Sequence, residues 1–261
     1  MTLHQLPIAN KERVIIVGAG IGGLAASLRL SHMGYNVKVF ETAETAGGKL
    51  RTITGQTGEI DIGPTVLTLL PVFQNLFRSV GEDIFDHIEL VRQKIIARHW
   101  WPDGETLDLH DDFESSRDAI LNFSGPESAK EFEKYFYDTR DLFSCFDIPV
   151  MQNPNPSMLD MNRAVLNNPK ILFKMHPLRT LSGLLNYKFR DKRLQQLFGR
   201  YATYVGGSPL ESPALLSLIW QAEARGVWSV KGGMKKLARV LEKLAACLLY
   251  TSPSPRDGTK S

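Results

Sequence analysis

The residues with the clearest chemistry lie between Arg13 and Glu41. The apolar run Arg13-Val14-Ile15-Ile16-Val17 feeds Gly18-Ala19-Gly20-Ile21-Gly22-Gly23, and a second run, Asn36-Val37-Lys38-Val39-Phe40, closes on Glu41. Strand, glycine turn, small-residue helix, strand and acid in that order form the dinucleotide-binding βαβ fingerprint. Gly18 permits the tight turn, Gly20 lets the backbone approach a pyrophosphate, and Gly23 lets the helix pack close to the strand. Gly22, between them, is a further cofactor-binding candidate. The free N–H groups that open the helix, with its dipole, would face the phosphates. Glu41 stands where a carboxylate accepts both hydroxyls of an adenosine ribose, and its charge disfavours a 2′-phosphate, so NADP is not the expected ligand.

Other elements must hold this unit in place. Thr54-Gly55-Gln56-Thr57-Gly58 reads as a turn between two extended segments, the second of which, Glu59 to Pro64, returns towards the cofactor. Leu69, Val72, Phe73, Leu76, Phe77 and Val80 follow a helical period over Thr65 to Val80, which Gly81 ends. Ile95 to Trp101 and Thr106 to Leu109 flank the turn Pro102-Asp103-Gly104 as a hairpin. Phe113 to Phe123 and Ser128 to Phe146 read as helices separated by Ser124-Gly125-Pro126, and Pro149, Pro154 and Pro156 mark a loop. Asp191 to Tyr204 is helical up to the break Val205-Gly206-Gly207-Ser208-Pro209, and Ser212-Pro213 starts another helix. Val227 to Val230 is strand-like, and Gly232-Gly233-Met234 leads into a helix over Lys235 to Ala246. The uncharged run Val14 to Leu28 is too short for a membrane span; it reads as a buried strand, turn and helix.

Composition narrows the function. At 261 residues, 43% hydrophobic and 23% charged, the chain can bury a core, and its net charge of +3 is too mild for nucleic acid. The six histidines show no metal-ligand spacing. No carboxylate pair, Ser/His/Asp set or Cys/His pair stands out, so no catalytic residue is assigned. Met1 to Asn10 lacks the apolar core of a signal peptide. Cys247 to Ser261 looks like the conceptual translation of a sequencing adapter; it is expected to be non-native, which leaves Cys145 alone and no disulfide framework. Arg163 to Arg193 carries a charge of +7, against −4 for the rest of the chain. Its bases alternate with large apolar residues, which suits the surface of an anionic bilayer; a solvated basic face is the alternative.

Longer strings carry a resemblance. Gly47-Gly48-Lys49-Leu50-Arg51-Thr52 and Asp61-Ile62-Gly63-Pro64-Thr65 resemble the second glycine motif of the large two-domain flavoproteins. With Val66-Leu67-Thr68, Ala97-Arg98-His99-Trp100-Trp101-Pro102-Asp103-Gly104, Pro149-Val150-Met151-Gln152, Leu197 to Pro209 and Gly232-Gly233-Met234, the chain resembles the bacterial carotenoid desaturases, and among them those acting on 1-hydroxylated carotenoids. The match runs from Arg13 to about Ala246, and Phe198 to Pro209 is its most specific part. The resemblance implies an α/β fold, a Rossmann-like FAD-binding domain with an inserted α+β substrate domain, with divisions at 1–82, 83–226 and 227–246. It implies FAD, with Gly47, Gly48, Gly63, Pro64 and Thr65 beside the cofactor and Lys49 and Arg51 near its phosphates. The family usually has Arg where Lys49 stands, and Lys keeps the charge without the bidentate fork.

The implied reaction removes hydride and a proton from a C–C bond beside a polyene, 3,4-desaturation of a 1-hydroxycarotenoid. Delocalisation along the polyene makes a strong protein base unnecessary, and the protein supplies orientation and a dry apolar tunnel. His99 and Arg200 are substrate-side candidates with the polar reach to meet a terminal hydroxyl, a structural role being the alternative for each. His99, Trp100 and Trp101 suggest an aromatic wall, against which core or strand packing is the favoured account. The implied location is cytoplasmic, peripherally on the inner face of the cell or photosynthetic membrane; the oligomeric state stays open. In the family a later part of the chain closes the flavin site, so this chain alone is expected to bind FAD poorly and to be inactive. A phytoene desaturase, an amine oxidase or protoporphyrinogen oxidase, and a lipid carrier akin to the GDP-dissociation inhibitors are the alternatives.

Overall fold

The computed structural model describes residues 12–250 apart from 57 and 154. The first eleven residues, Thr57, Pro154 and positions 251–261 of the adapter-like stretch lie outside the described residues. The chain divides into two compact units: the described residues up to Arg92 together with those from Trp228, and Gln93–Val227.

The first unit opens with β1 (Arg13–Val17), α1 (Ile21–His32) and β2 (Asn36–Phe40), and β1 and β2 pair in parallel from Arg13↔Asn36 to Val17↔Phe40. β3 (Thr52–Gly55) and β4 (Gly58–Asp61) form an antiparallel hairpin. α2 (Leu70–Arg78), α3 (Ile84–His87) and β5 (Leu90–Arg92) follow. The helix expected over Thr65 to Val80 begins only at Leu70. Pro64 blocks helix before it, and Leu67 exchanges backbone hydrogen bonds with Trp228, at 2.8 and 2.9 Å.

The second unit holds β6 (Ile95–Trp100) and β7 (Thr106–His110), paired around the Pro102-Asp103-Gly104 turn. α4 (Phe113–Phe146) is interrupted at Gly125, whose φ of +83° is non-helical, as the Ser-Gly-Pro break requires. Asp147–Met151 then continues as a π-helical turn instead of a loop. α5 (Met158–Asn167), α6 (Ile171–Met175), α7 (Leu181–Lys188) and α8 (Lys192–Gly199) follow, then 3₁₀ segments Arg200–Val205 and Ala214–Ile219, and α9 (Trp220–Ala224). The helix expected from Ser212-Pro213 is therefore 3₁₀ for its first six residues. Phe132, Tyr135, Phe198 and Trp220 form the aromatic centre of this unit, with ring centroids 4.8 to 6.0 Å apart. Trp220 Nε1–H finds Thr139 Oγ1 at 2.8 Å, so the polar edge of the buried indole is satisfied.

The chain returns to the first unit through β8 (Trp228–Val230) and α10 (Lys235–Tyr250). β8 pairs antiparallel with β5. That pairing keeps residues 83–92 in the first unit, so the division falls after Arg92, ten residues beyond the position that the resemblance implies. Leu237, Leu241 and Ala245 repeat every four residues along α10 and are buried in one core with Leu24 and Leu28 of α1. α10 runs through Ala246 without interruption.

One expectation fails here. The Val14-to-Val17 run is not a buried strand: Ile15 is 59% and Val17 86% exposed. β1 has a single strand neighbour, β2, among the described residues. An apolar parallel strand is buried only when its sheet is covered on both faces.

Candidate functional site

In the first unit, three glycine segments distant in sequence come together. Gly18, at φ +95°, turns the chain out of β1, and its N–H donates to Phe40 O at 2.7 Å. Gly20 caps α1, whose first turn carries no acid. A Cβ on Gly23 would lie 1.9 Å from Gly18 O, whereas the space in front of Gly20 and Gly22 is open. One glycine is thus demanded by packing and two leave room for a ligand to approach the backbone.

The second glycine pair docks on the first. Gly47 N–H donates to Ala19 O at 2.8 Å, and a Cβ on Gly48 would lie 3.0 Å from Gly20 Cα. Gly47 and Gly48 take φ of +129° and +59°. Gly63 backs this layer, because a Cβ there would meet Lys49 O at 1.9 Å. Pro64 and Thr65 continue from it on the surface. Lys49 and Arg51 are exposed, and neither forms an ion pair among the described residues.

Glu41 closes the arrangement. Its Oε2 accepts from Ala19 N–H at 2.6 Å, and its Oε1 accepts from Ala43 N–H at 2.9 Å and from Thr42 Oγ1 at 3.3 Å. The Ala43 and then the Ala19 hydrogen bond hold its carboxyl below the usual carboxylate range, so it is ionised at neutral pH. Beside it lies a cavity of about 320 Å³ lined by Ala19, Val37, Val39, Ala43 and, from α10, Glu242. A carboxylate offers about four lone-pair sites, so Glu41 keeps capacity for further donors.

Asp61 was not legible as a site residue, yet it ties the returning chain to this layer. Its Oδ2 accepts from Met234 N–H at 2.9 Å where α10 begins. Gly233, at φ +88°, passes so close that a Cβ would sit 3.1 Å from the same carboxylate.

In the second unit, His99 on β6 and Arg200 after α8 belong to one polar cluster. Arg200 Nη2 donates to Glu223 Oε2 at 2.6 Å and to the Tyr201 hydroxyl at 2.8 Å, while the Tyr201 hydroxyl donates to the same Glu223 oxygen at 2.7 Å. The Tyr204 hydroxyl bonds to Glu223 Oε1. Burial opposes the Arg200 charge, but Tyr201 and Glu223 overcome it and hold the guanidinium firmly protonated. Burial, and then the Arg200 charge, push His99 below its ordinary value, so its ring is neutral near pH 7. His99 Nδ1 and Arg200 Nε are buried without a hydrogen-bond partner among the described residues. Glu223, Tyr201 and Tyr204 carry no spacing signal; only the packing of the 3₁₀ segment against α9 brings them together.

The aromatic wall does not form. Successive strand residues point to opposite faces: Trp100 is 69% exposed, while Trp101 packs on Phe123 with centroids 4.9 Å apart. Trp101 Nε1–H donates to Gln196 Oε1 at 3.1 Å. Among the described residues no His, Cys, Asp and Glu group could hold a metal.

Residues 16–82, the segment that holds the glycine layer, match the NAD(P)-binding Rossmann-like domain family. A putrescine oxidase structure shares the fold at a TM-score of 0.57 and 18% identity, over 91% of this chain and 49% of that one. Along most of its length the sequence is similar to carotenoid-modifying enzymes. It is 45% identical to hydroxyneurosporene desaturase of Cereibacter sphaeroides over 89% of this chain and 47% of the relative. It is 41% identical to the Rhodobacter capsulatus enzyme of the same name, over 90% of this chain and 48% of the relative. The chain therefore spans about half the length of the curated relatives it matches.

Proposed function

We infer that this chain forms the dinucleotide-binding and much of the substrate-binding part of an FAD-dependent carotenoid desaturase, acting on a 1-hydroxycarotenoid such as hydroxyneurosporene by 3,4-desaturation. The observation that carries the reading is the 45% identity to a hydroxyneurosporene desaturase across both units. The open space before Gly20 and Gly22, with Gly47 and Gly48 packed behind and Glu41 beside them, fits the cofactor.

In this reading the N–H groups at the start of α1 hold the pyrophosphate, with Gly20 and Gly22 leaving it access. Glu41 accepts the ribose hydroxyls by giving up its weak Thr42 contact. Lys49 and Arg51 neutralise phosphate charge, and Gly63, Pro64 and Thr65 back the flavin end. FAD, when bound, supplies the hydride acceptor. The polypeptide orients the polyene and keeps water out. On the substrate side, Arg200 and Glu223 make a cluster without net charge, which suits a neutral hydroxyl better than an ionic group, and Arg200 and His99 offer the polar atoms to meet it.

No helix among the described residues is long and apolar enough to cross a membrane. The reading places the protein in the cytoplasm, on the inner face of the cell or photosynthetic membrane, with peripheral contact through Arg163–Arg193.

The test is a chimera in which this chain replaces the matching segment of the C. sphaeroides enzyme. Expressed in cells accumulating hydroxyneurosporene, it should shift pigment absorbance to longer wavelength; in cells accumulating phytoene it should not. A shift with phytoene alone identifies a phytoene desaturase. A purified chimera that is colourless and refuses added FAD supports the lipid-carrier alternative.

A further inference from the structure

The basic segment is not one surface. From residue 181 onward it belongs to the core of the second unit: Leu181, Leu184, Leu185, Phe189 and Leu194 are buried. Three of its four bases there are paired with acids, and Lys192 donates to Gln195 Oε1. Lys188, with a side chain only 8% exposed, meets Asp138 at 2.6 Å, Arg190 lies 3.4 Å from Glu131, and Arg193 lies 3.0 Å from Asp191. Lys174 is held by Asp141 at 2.6 Å and Asp138 at 3.1 Å.

Upstream the pattern reverses. α5 buries none of its residues and stands off α4 over a cavity of about 500 Å³ lined by Asp141, Ser144, Cys145, Arg163 and Ala164. Leu159, Arg163 and Leu166, spaced four and three apart, share one exposed face of it. Phe173 is 80% and Leu178 100% exposed, and Ile148 and Met158 are exposed nearby. Soluble surfaces scatter such residues singly along the chain, whereas here Ile148, Met158, Leu159, Leu166, Phe173 and Leu178 are all exposed within one stretch. Arg163, Lys170 and Arg179 form no ion pair among the described residues. Asp160, the single acid between 148 and 190, is turned into a capping box with Ser157.

We propose that Ile148 to Arg179 is the bilayer-docking edge of this protein. Leu159, Leu166, Phe173 and Leu178 enter the boundary between headgroups and acyl chains, and Arg163, Lys170 and Arg179 reach the phosphates of anionic lipids. This rests on the membrane contact inferred above and narrows it, excluding residues 181–193. Interleaved bases favour a bilayer over a second copy of the chain, since two such edges face to face would bring like charges together.

Co-sedimentation of the whole chain with phosphatidylcholine vesicles, with and without phosphatidylglycerol, tests this. The wild-type chain should partition onto the anionic vesicles. Phe173→Ser with Leu178→Ser should lower that partition at least tenfold (about two apolar side chains withdrawn), and Arg163→Glu with Lys170→Glu about tenfold or more. Arg190→Gln with Lys192→Gln should change it less than about threefold, because those residues lie outside the edge. The altered side chains are exposed, and circular dichroism should report an unchanged fold. Equal binding by all variants, or loss in the 190/192 variant alone, overturns the edge while leaving membrane contact standing. No binding by the wild type overturns both. A lipid-free sedimentation experiment in which Phe173→Ser with Leu178→Ser converts a dimer to a monomer, without vesicle binding, assigns the face to a second copy and also overturns the proposal.

Discussion

Gly22 and Gly23 are neighbours under opposite constraints. Gly23 sits against a backbone carbonyl that no rotamer change can move, so Gly23→Ala should cost about 2–3 kcal/mol or more, read as a lowered unfolding midpoint. Gly22 lies in the first turn of α1 with open space before it, so Gly22→Ala should stabilise the helix by roughly 0.5–1 kcal/mol. In the proposed function that same open space admits the pyrophosphate. Gly22→Ala should therefore raise the unfolding midpoint of the chimera while weakening FAD binding, measured by flavin fluorescence titration. Unchanged FAD affinity would remove Gly22 from the cofactor site. Arg200 permits a similar separation. Arg200→Lys keeps a charge for Glu223 and loses Nε, so the chimera should favour the hydroxylated over the non-hydroxylated polyene less strongly, by about tenfold, with little change for the non-hydroxylated one. An equal fall for both substrates would make Arg200 structural.

At the scale of elements, Asp191 joins two pieces of the second unit. It caps α8, with Oδ1 accepting from Arg193 N–H at 2.7 Å, and it takes the Ser124 hydroxyl from the kink in α4. Burial pushes its carboxyl up, but the Arg193 and Ser124 hydrogen bonds overcome this and bring it from the usual 3.8 to about 2. A carboxyl whose folded value lies below its unfolded value stabilises the fold above the unfolded value and loses that stabilisation as pH falls through the folded one. Between about pH 5 and pH 2 the chain should lose about 1–2 kcal/mol on this account, and Asp191→Asn should flatten that part of the stability curve in urea titrations at stepped pH. Asp61 makes a comparable link: Asp61→Ala should cost about 1 kcal/mol by freeing the Met234 N–H at the start of α10, and Asp61→Asn, which keeps an acceptor, should cost less. These links explain what the sequence could and could not reveal. Gly18 to Gly23 and the Gly125 break were legible because each is decided by residues a few positions apart, and Glu41 because it closes the second strand of the same βαβ unit. Glu223 was not, since its donors lie in a different element. The basic segment was half legible: its charge could be counted, but Lys174 and Lys188 are neutralised by acids of α4 that only the fold brings near.

The whole molecule raises a different question, about what its surface tolerates. β1 and β2 form a two-stranded parallel sheet whose outer face carries Ile15, Val17 and Phe40, all exposed, and Ile53, Ile60 and Ile62 of the following hairpin are exposed too. Parallel strands are ordinarily covered on both faces, and an open, apolar strand edge is a template for pairing with other chains. The chain by itself should therefore bind an apolar dye and associate as its concentration rises through the micromolar range, read by sedimentation velocity. In the chimera the remaining part of the C. sphaeroides enzyme, slightly more than half of that relative, is present. If that part completes the sheet, dye binding should fall, the association should disappear, and stoichiometric, slowly released flavin should appear together with them. The three readouts test one cause. Flavin retention by the unjoined chain, with the dye still bound, would show that the glycine layer alone suffices for the cofactor. A chimera that still associates would place the exposed strand edge at an interface between copies.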